Sequence, residues 1–185
     1  MAGRPVDHQR RAELLDAIVD YAVEQGFSEL TWRPVAAALG VTSNTLVHHF
    51  GTKEQMFQSV LERLRERLIT ATDEALGNQA DLATAARLAW EWTSDPVREH
   101  EFRLFFAVYG RALQSPRNFT EFLQHVMDDW MGALRKAQGP EVNAAVAARR
   151  ATLVIATIRG LLLDLLATGE RDRIEDAAQA FLAGL

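Results

Sequence analysis

Ser43, Asn44, Val47 and His48 fall within six consecutive residues of "LGVTSNTLVHHFGTKEQMF", residues 39–57. Facing outward from a short helix, these types can meet the edges of base pairs. Asn pairs with adenine, Ser bonds to several bases, and Val touches the thymine methyl. Short side chains also let a helix backbone approach closely in a major groove. A polar helix with so little to bury is accounted for if it reads another surface.

Such a helix must be held from behind. "VAAAL" before Gly40 predicts a second helix with Ala36, Ala37 and Leu39 turned inward, Thr31 as N-cap and Pro34 in the tolerated first turn. Gly40 permits a sharp turn, Thr42 caps a third helix over Ser43 to about His49, and Val41, Leu46 and Phe50 pin it down. Two helices joined by a tight glycine turn form a helix-turn-helix. The geometry also occurs in proteins that never touch DNA, so both readings stand at this point.

The remaining elements follow from helical periodicity and Gly/Pro punctuation. A first helix over about Asp7–Gln25 sets Leu14, Leu15, Ile18, Tyr21 and Ala22 on one face and Asp16, Asp20 and Glu24 on another; Gly26 ends it. A fourth starts near Lys53 and runs to about Leu76. Five more are expected at about 80–94, 97–114, 118–138, 142–168 and 171–183. The fold class is all-α, with about nine helices.

Composition narrows the function. The 185 residues contain no cysteine, which removes disulfides and thiolate chemistry. "MAGRPVDHQRR" has no apolar segment behind its basic residues, so no secretory signal is expected. The most apolar run, "ATLVIATIRGLLLDLLATG", is interrupted by Arg159 and Asp164 and reads as a helix buried against protein, not as a bilayer span. A net charge of −5 does not by itself suggest DNA, and residues 1–53 carry five basic against six acidic side chains. No GxSxG, Gly-rich phosphate loop, HExxH or paired Glu-x-x-His is present, and Glu121 with His125 is half a metal motif without a partner. No enzyme activity, cofactor or metal is expected.

Residues 11–57 resemble the N-terminal domain of the TetR family of bacterial transcriptional regulators. The resemblance rests on "LLDA", "GF", Thr31, "VA", "LGV", "TL", "HHF" and the lysine three residues after that Phe. It implies a helix-turn-helix DNA-binding domain at 1–53 and a helical ligand-binding and dimerisation domain at 54–185, the helix from about 53 to 76 connecting the two. By the same resemblance Arg33, Ser43, Asn44 and Val47 face bases, while Thr31, Trp32, Thr45, His48, His49 and Lys53 face phosphates. Where this chain has Val47 the family usually has Tyr, whose hydroxyl is lost here. The Gly3–Pro5 arm resembles the core of an AT-hook, with Arg4 entering a minor groove; a disordered terminus fits three residues equally well. Arg10 and Arg11 behind it could meet phosphates.

Most large aromatics lie beyond residue 89, and aromatics at helical spacing are usually core. The resemblance implies an apolar small-molecule pocket among the fifth to seventh helices, with Trp90, Phe106, Tyr109, Phe122, Val126 and Trp130 as candidate walls and Arg103 and His125 as candidate polar groups. The expected ligand is a small apolar or aromatic molecule. The last two helices are expected to form a homodimer interface through Ile158, Leu161, Leu162, Leu165 and Phe181. The sum of these expectations is a cytoplasmic homodimeric repressor of a pseudo-palindromic double-stranded operator, with no membrane partner; a helical ligand-binding dimer without specific DNA binding is the alternative.

Overall fold

The computed structural model describes residues 7–76, 81–114 and 119–185, so the arm carrying Arg4 lies outside the described residues. Among them the chain forms nine α-helices, two short 3-10 turns and no strand. The helices are α1 His8–Gln25, α2 Trp32–Ala38, α3 Ser43–Phe50, α4 Lys53–Leu76, α5 Leu82–Ser94, α6 Glu99–Gln114, α7 Thr120–Lys136, α8 Ala144–Thr168 and α9 Arg171–Leu182. The all-α reading holds, and the helix limits fall within a few residues of those expected.

Local chemistry explains where the helices begin and end. Asp7 caps α1 by accepting the Arg10 N–H at 3.1 Å, Asp81 caps α5 by accepting the Thr84 N–H at 2.8 Å, and the Asn143 side chain does the same for α8. Gly169, at φ 72°, closes α8 in a left-handed conformation that a β-carbon would oppose. α4 opens with a reciprocal pair: the Thr52 N–H donates to Gln55 Oε1 at 2.8 Å, and the Gln55 N–H donates to Thr52 Oγ1 at 3.2 Å. This is a capping box, with Gln at its third position.

α1 buries Leu14, Leu15, Ile18, Val19 and Ala22, with Tyr21 only half-buried. It packs on α4 and α6, and α4 contributes Met56, Val60, Leu61 and Leu64 to the same apolar core. Because the core is continuous from α1 to α9, the helix-turn-helix stands on a packed base. Each fully buried Leu or Ile contributes about 1.5–3 kcal/mol to that base.

α8 buries part of the expected dimer interface within its own chain. By length and composition it could cross a membrane, but Val154, Ile155, Ile158, Leu162 and Leu165 are buried within the chain, where α8 packs on α5, α6, α7 and α9. Ile158, Leu162 and Leu165 are therefore core residues of the single chain, and Leu161 and Phe181 are half-buried at the edge of that core. A helix apolar around most of its circumference gives no sequence signal for which stripe faces its own chain. The exposed apolar stripe lies elsewhere: Leu153 is 59% and Leu163 50% exposed, with Ala156, Gly160 and Ala167 exposed along the same line. Arg159 lies over the rings of Phe105 and Tyr109, each centroid at 5.7 Å. Asp164 accepts two bonds from Arg173 of α9, at 2.9 and 3.1 Å.

Candidate nucleic-acid interface

The α2–α3 turn follows the expected chemistry. Gly40 has φ +64°, the Val41 N–H returns to the Ala36 carbonyl at 3.0 Å, and Thr42 Oγ1 accepts the Thr45 N–H at 3.1 Å. Val35, Ala36, Leu46 and Phe50 are buried, with Leu39 and Val41 packed against them. Ala37 is exposed, contrary to expectation. In a helix of seven residues the stripe facing α3 is narrow, and the step from Ala36 to Ala37 already turns about 100° away.

Leu46 and Phe50 face in, so Asn44, Val47 and His48 face out at i, i+3 and i+4 and form one surface. Val47 is 44% exposed, an apolar group at the centre of an otherwise polar face. Ser43 and Thr45 flank it, half-buried. The Thr45 hydroxyl is 2.9 Å from that of Thr42 and shares in the cap. On α2, Arg33 is exposed, and Trp32 is half-buried against the core. Thr31 occupies the N-cap in extended conformation, but its hydroxyl makes no capping bond.

Lys53, exposed, starts α4 one residue after the capping Thr52. A cation there adds to the positive end of the helix dipole. His49 differs from its neighbour: its Nδ1 is buried without a hydrogen-bond partner among the described residues. Burial holds the His49 imidazole below its ordinary value of 6.5, and the charges of His48, Arg10 and Arg11 act in the same direction against an opposing Asp7. A neutral His49 has at most a hydrogen bond to offer a phosphate.

Arg10 and Arg11, which in sequence could meet phosphates, make bonds within the chain. Arg10 pairs with Glu13 at 3.0 Å. Arg11 turns inward, its Nε donating to the His49 carbonyl at 3.2 Å and its Nη2 to Ser59 Oγ at 3.0 Å. Arg11 and the Thr52–Gln55 box both support α3 and α4 from behind. The box is legible as T-x-x-Q, whereas the direction of Arg11 has no periodic signature.

The candidate ligand residues are less unified. Trp90 is 2% exposed, its indole N–H donating to Glu175 Oε2 of α9 at 3.0 Å. Phe106, Tyr109 and Trp130 are half-buried at the edge of the core, where Trp130 lies 6.1 Å from Trp92, centroid to centroid. His125 Nδ1 is buried without a hydrogen-bond partner among the described residues. The side chains of Phe122 and Val126 lie outside the described residues. Arg103 is exposed, paired with Glu99 at 2.8 Å, and lines a cleft of about 130 Å³ with Thr93, Asp95, Leu162, Leu166 and Arg171.

Residues 14–60 match the family described as "Bacterial regulatory proteins, tetR family". Among curated proteins, the HTH-type transcriptional repressor KstR2 of Rhodococcus jostii is 35% identical over 72 residues, which are 39% of this chain and 35% of that one. The match thus spans about a third of that relative's length. Among solved structures, a transcriptional regulator from Rhodococcus sp. Rha1 superposes with a TM-score of 0.77 at 26% identity, covering 94% of both chains. The regulator FadR of Bacillus subtilis, solved in complex with stearoyl-CoA, shares the fold with a TM-score of 0.64 at 16% identity, over 93% of this chain and 95% of that one.

Proposed function

We propose, for a chain that belongs to the TetR family of bacterial transcriptional regulators, that it is a cytoplasmic repressor binding a pseudo-palindromic operator as a homodimer. The observation that carries this reading is the outward face of Asn44, Val47 and His48 on a helix pinned by buried Leu46 and Phe50. Arg33, Ser43, Asn44 and Val47 are assigned to bases; Thr31, Trp32, Thr45, His48, His49 and Lys53 are assigned to phosphates. Phosphate contacts fix the register, and base contacts give the sequence preference.

The homodimer reading rests on the exposed stripe of α8. Leu153, Ala156, Gly160, Leu163 and Ala167 recur at alternating steps of three and four, the spacing of a helix–helix seam. A β-carbon added to Gly160 would meet nothing within 4 Å among the described residues, so the packing they form does not require glycine there; a close partner helix would. Exposed Ala177 and Ala180 extend the small-residue surface onto α9. A twofold axis through this stripe would present two copies of α3, and a separation of about 34–36 Å would match successive major grooves.

The ligand is proposed to be a small apolar or aromatic molecule held among α5, α6 and α7, releasing the operator through its higher affinity for the non-binding state. Support comes from the half-buried Phe106, Tyr109 and Trp130 and from the stearoyl-CoA held by the Bacillus subtilis regulator of the same fold. The division at residue 53 belongs to the same proposal, with α4 running from Lys53 into the larger part.

The net charge of −5 favours one competing reading, a ligand-binding dimer without specific DNA binding. Selecting bound sequences from random duplex DNA separates the two. Recovery of an inverted repeat, bound with a steep salt dependence, supports the repressor. Failure to enrich any sequence supports the alternative.

A further inference from the structure

The guanidinium of Arg11 joins three elements. From α1 it reaches the His49 carbonyl in the last turn of α3 at 3.2 Å, Ser59 Oγ of α4 at 3.0 Å, and the Phe50 ring, whose centroid is 5.1 Å away. Ser59 is itself held, its hydroxyl donating to the Gln55 carbonyl at 3.0 Å. The carbonyls of a helix's last turn lack partners along the helix, and a cation there also meets the negative end of its dipole. Phe50, under the guanidinium, is one of the two buried residues that hold α3 down.

We propose that Arg11 is a positioning residue for DNA reading: it sets the tilt of α3 against α4, so that Asn44 and Val47 meet base edges while Lys53 holds a phosphate. This rests on the reading of α3 as the DNA-contacting helix. α2 reaches α3 through a single tight turn, and α3 reaches α4 through Gly51 and Thr52. Both connections leave the C-terminal end of α3 to be fixed by side chains. A planar fork can serve α3 and α4 at once, whereas a lysine ammonium is a point charge on a flexible stem. Base hydrogen bonds weaken steeply away from good geometry, while a phosphate contact tolerates displacement. Loosening the fork therefore acts on sequence preference before it acts on general DNA affinity.

The test uses the full chain and the duplex recovered by selection, with a scrambled duplex of equal length as the non-specific probe. Affinities are measured across a salt series, at a temperature where melting curves show every variant folded. Arg11→Met is expected to weaken binding to the selected duplex roughly tenfold or more, the scale of one lost base contact, while scrambled-duplex affinity and salt slope stay at wild-type values. Ser59→Ala removes only the α4 arm of the fork. It should shift the ratio of specific to non-specific affinity in the same direction by less, and adding it to Arg11→Met should cost nothing further. If Arg11→Met does not fold, the Ser59→Ala ratio decides. Arg11→Lys should behave as Arg11→Met, and full rescue by lysine would overturn the fork. Equal losses on both duplexes with a shallower salt slope would make Arg11 a phosphate contact instead. An unchanged ratio with only a lower melting temperature would reduce it to a structural residue. A wild-type chain that enriches no sequence removes the DNA reading itself, and the inference with it.

Discussion

Asp16 of α1 receives both the Nε and the Nη2 of Arg63 of α4, at 2.9 and 3.2 Å. Arg67, one turn further along α4, donates to the same carboxylate at 2.9 Å and to Asp20 at 2.6 Å. The two helices are thus fastened by a bidentate pair extended into a network, beside the apolar contacts that do most of the work. Burial alone would raise the Asp16 carboxyl; hydrogen bonds from Arg67 and Arg63, with their charges, outweigh it and hold the group below 3.8.

A carboxylate depressed in the folded state stabilises the fold fully above its unfolded value and loses that contribution as pH falls through its folded value. Asp16→Asn should therefore lower the melting temperature at pH 7 and flatten the acid side of the stability profile below about pH 4. The side chain is 43% exposed, so screening keeps the loss near the surface-pair scale of about 0.2–1 kcal/mol. Identical acid profiles for the two proteins would show that the network contributes nothing to stability.

Lys53→Ala should weaken binding to all DNA sequences alike and reduce the salt slope by about one unit, because a phosphate contact carries no sequence information. Lys53 is exposed at the first residue of α4, so the fold should be unaffected. Titrations of selected and scrambled duplexes at several salt concentrations check it; a changed base preference at constant slope would contradict the assignment.

Asn44→Ala should instead cost about 1–3 kcal/mol at one base-pair position in each half-site. Repeating the selection with the variant reads this directly, as relaxed preference at one position and its symmetry mate. A uniform loss over all sequences would remove Asn44 from the base readers.

The helix limits and the outward face of α3 were legible in the sequence because each rests on local chemistry. Asp7, Asp81 and Asn143 cap their helices, and Gly26, Gly40 and Gly169 adopt positive φ. The i, i+4 pair of Leu46 and Phe50 leaves only one face of α3 outward. What escaped depends on tertiary partners. α8 is apolar on several sides, so Leu162 and Leu163 look alike in sequence, yet they are 3% and 50% exposed. Arg11 is long enough to reach solvent or turn inward, and its direction is decided by Ser59 and the His49 carbonyl, 48 and 38 residues away.

That difference between Leu162 and Leu163 also determines how the proposed dimer can be tested. A charge at Leu162 would enter the protomer's own core, and even Leu162→Ala should cost about 2–5 kcal/mol. Either change confuses unfolding with dissociation. Leu163→Arg places its charge on the exposed stripe, where a twofold partner would set it against its own copy without a counter-ion. The variant should melt as a folded monomer, show half the wild-type mass by light scattering, and lose operator affinity, because one reading helix alone forfeits the linked second half-site. Gly160→Leu should act in the same direction by holding the helices apart, since the single chain has room for the side chain's first carbon. A Leu163→Arg protein that stays dimeric with full operator affinity would move the interface away from this face of α8.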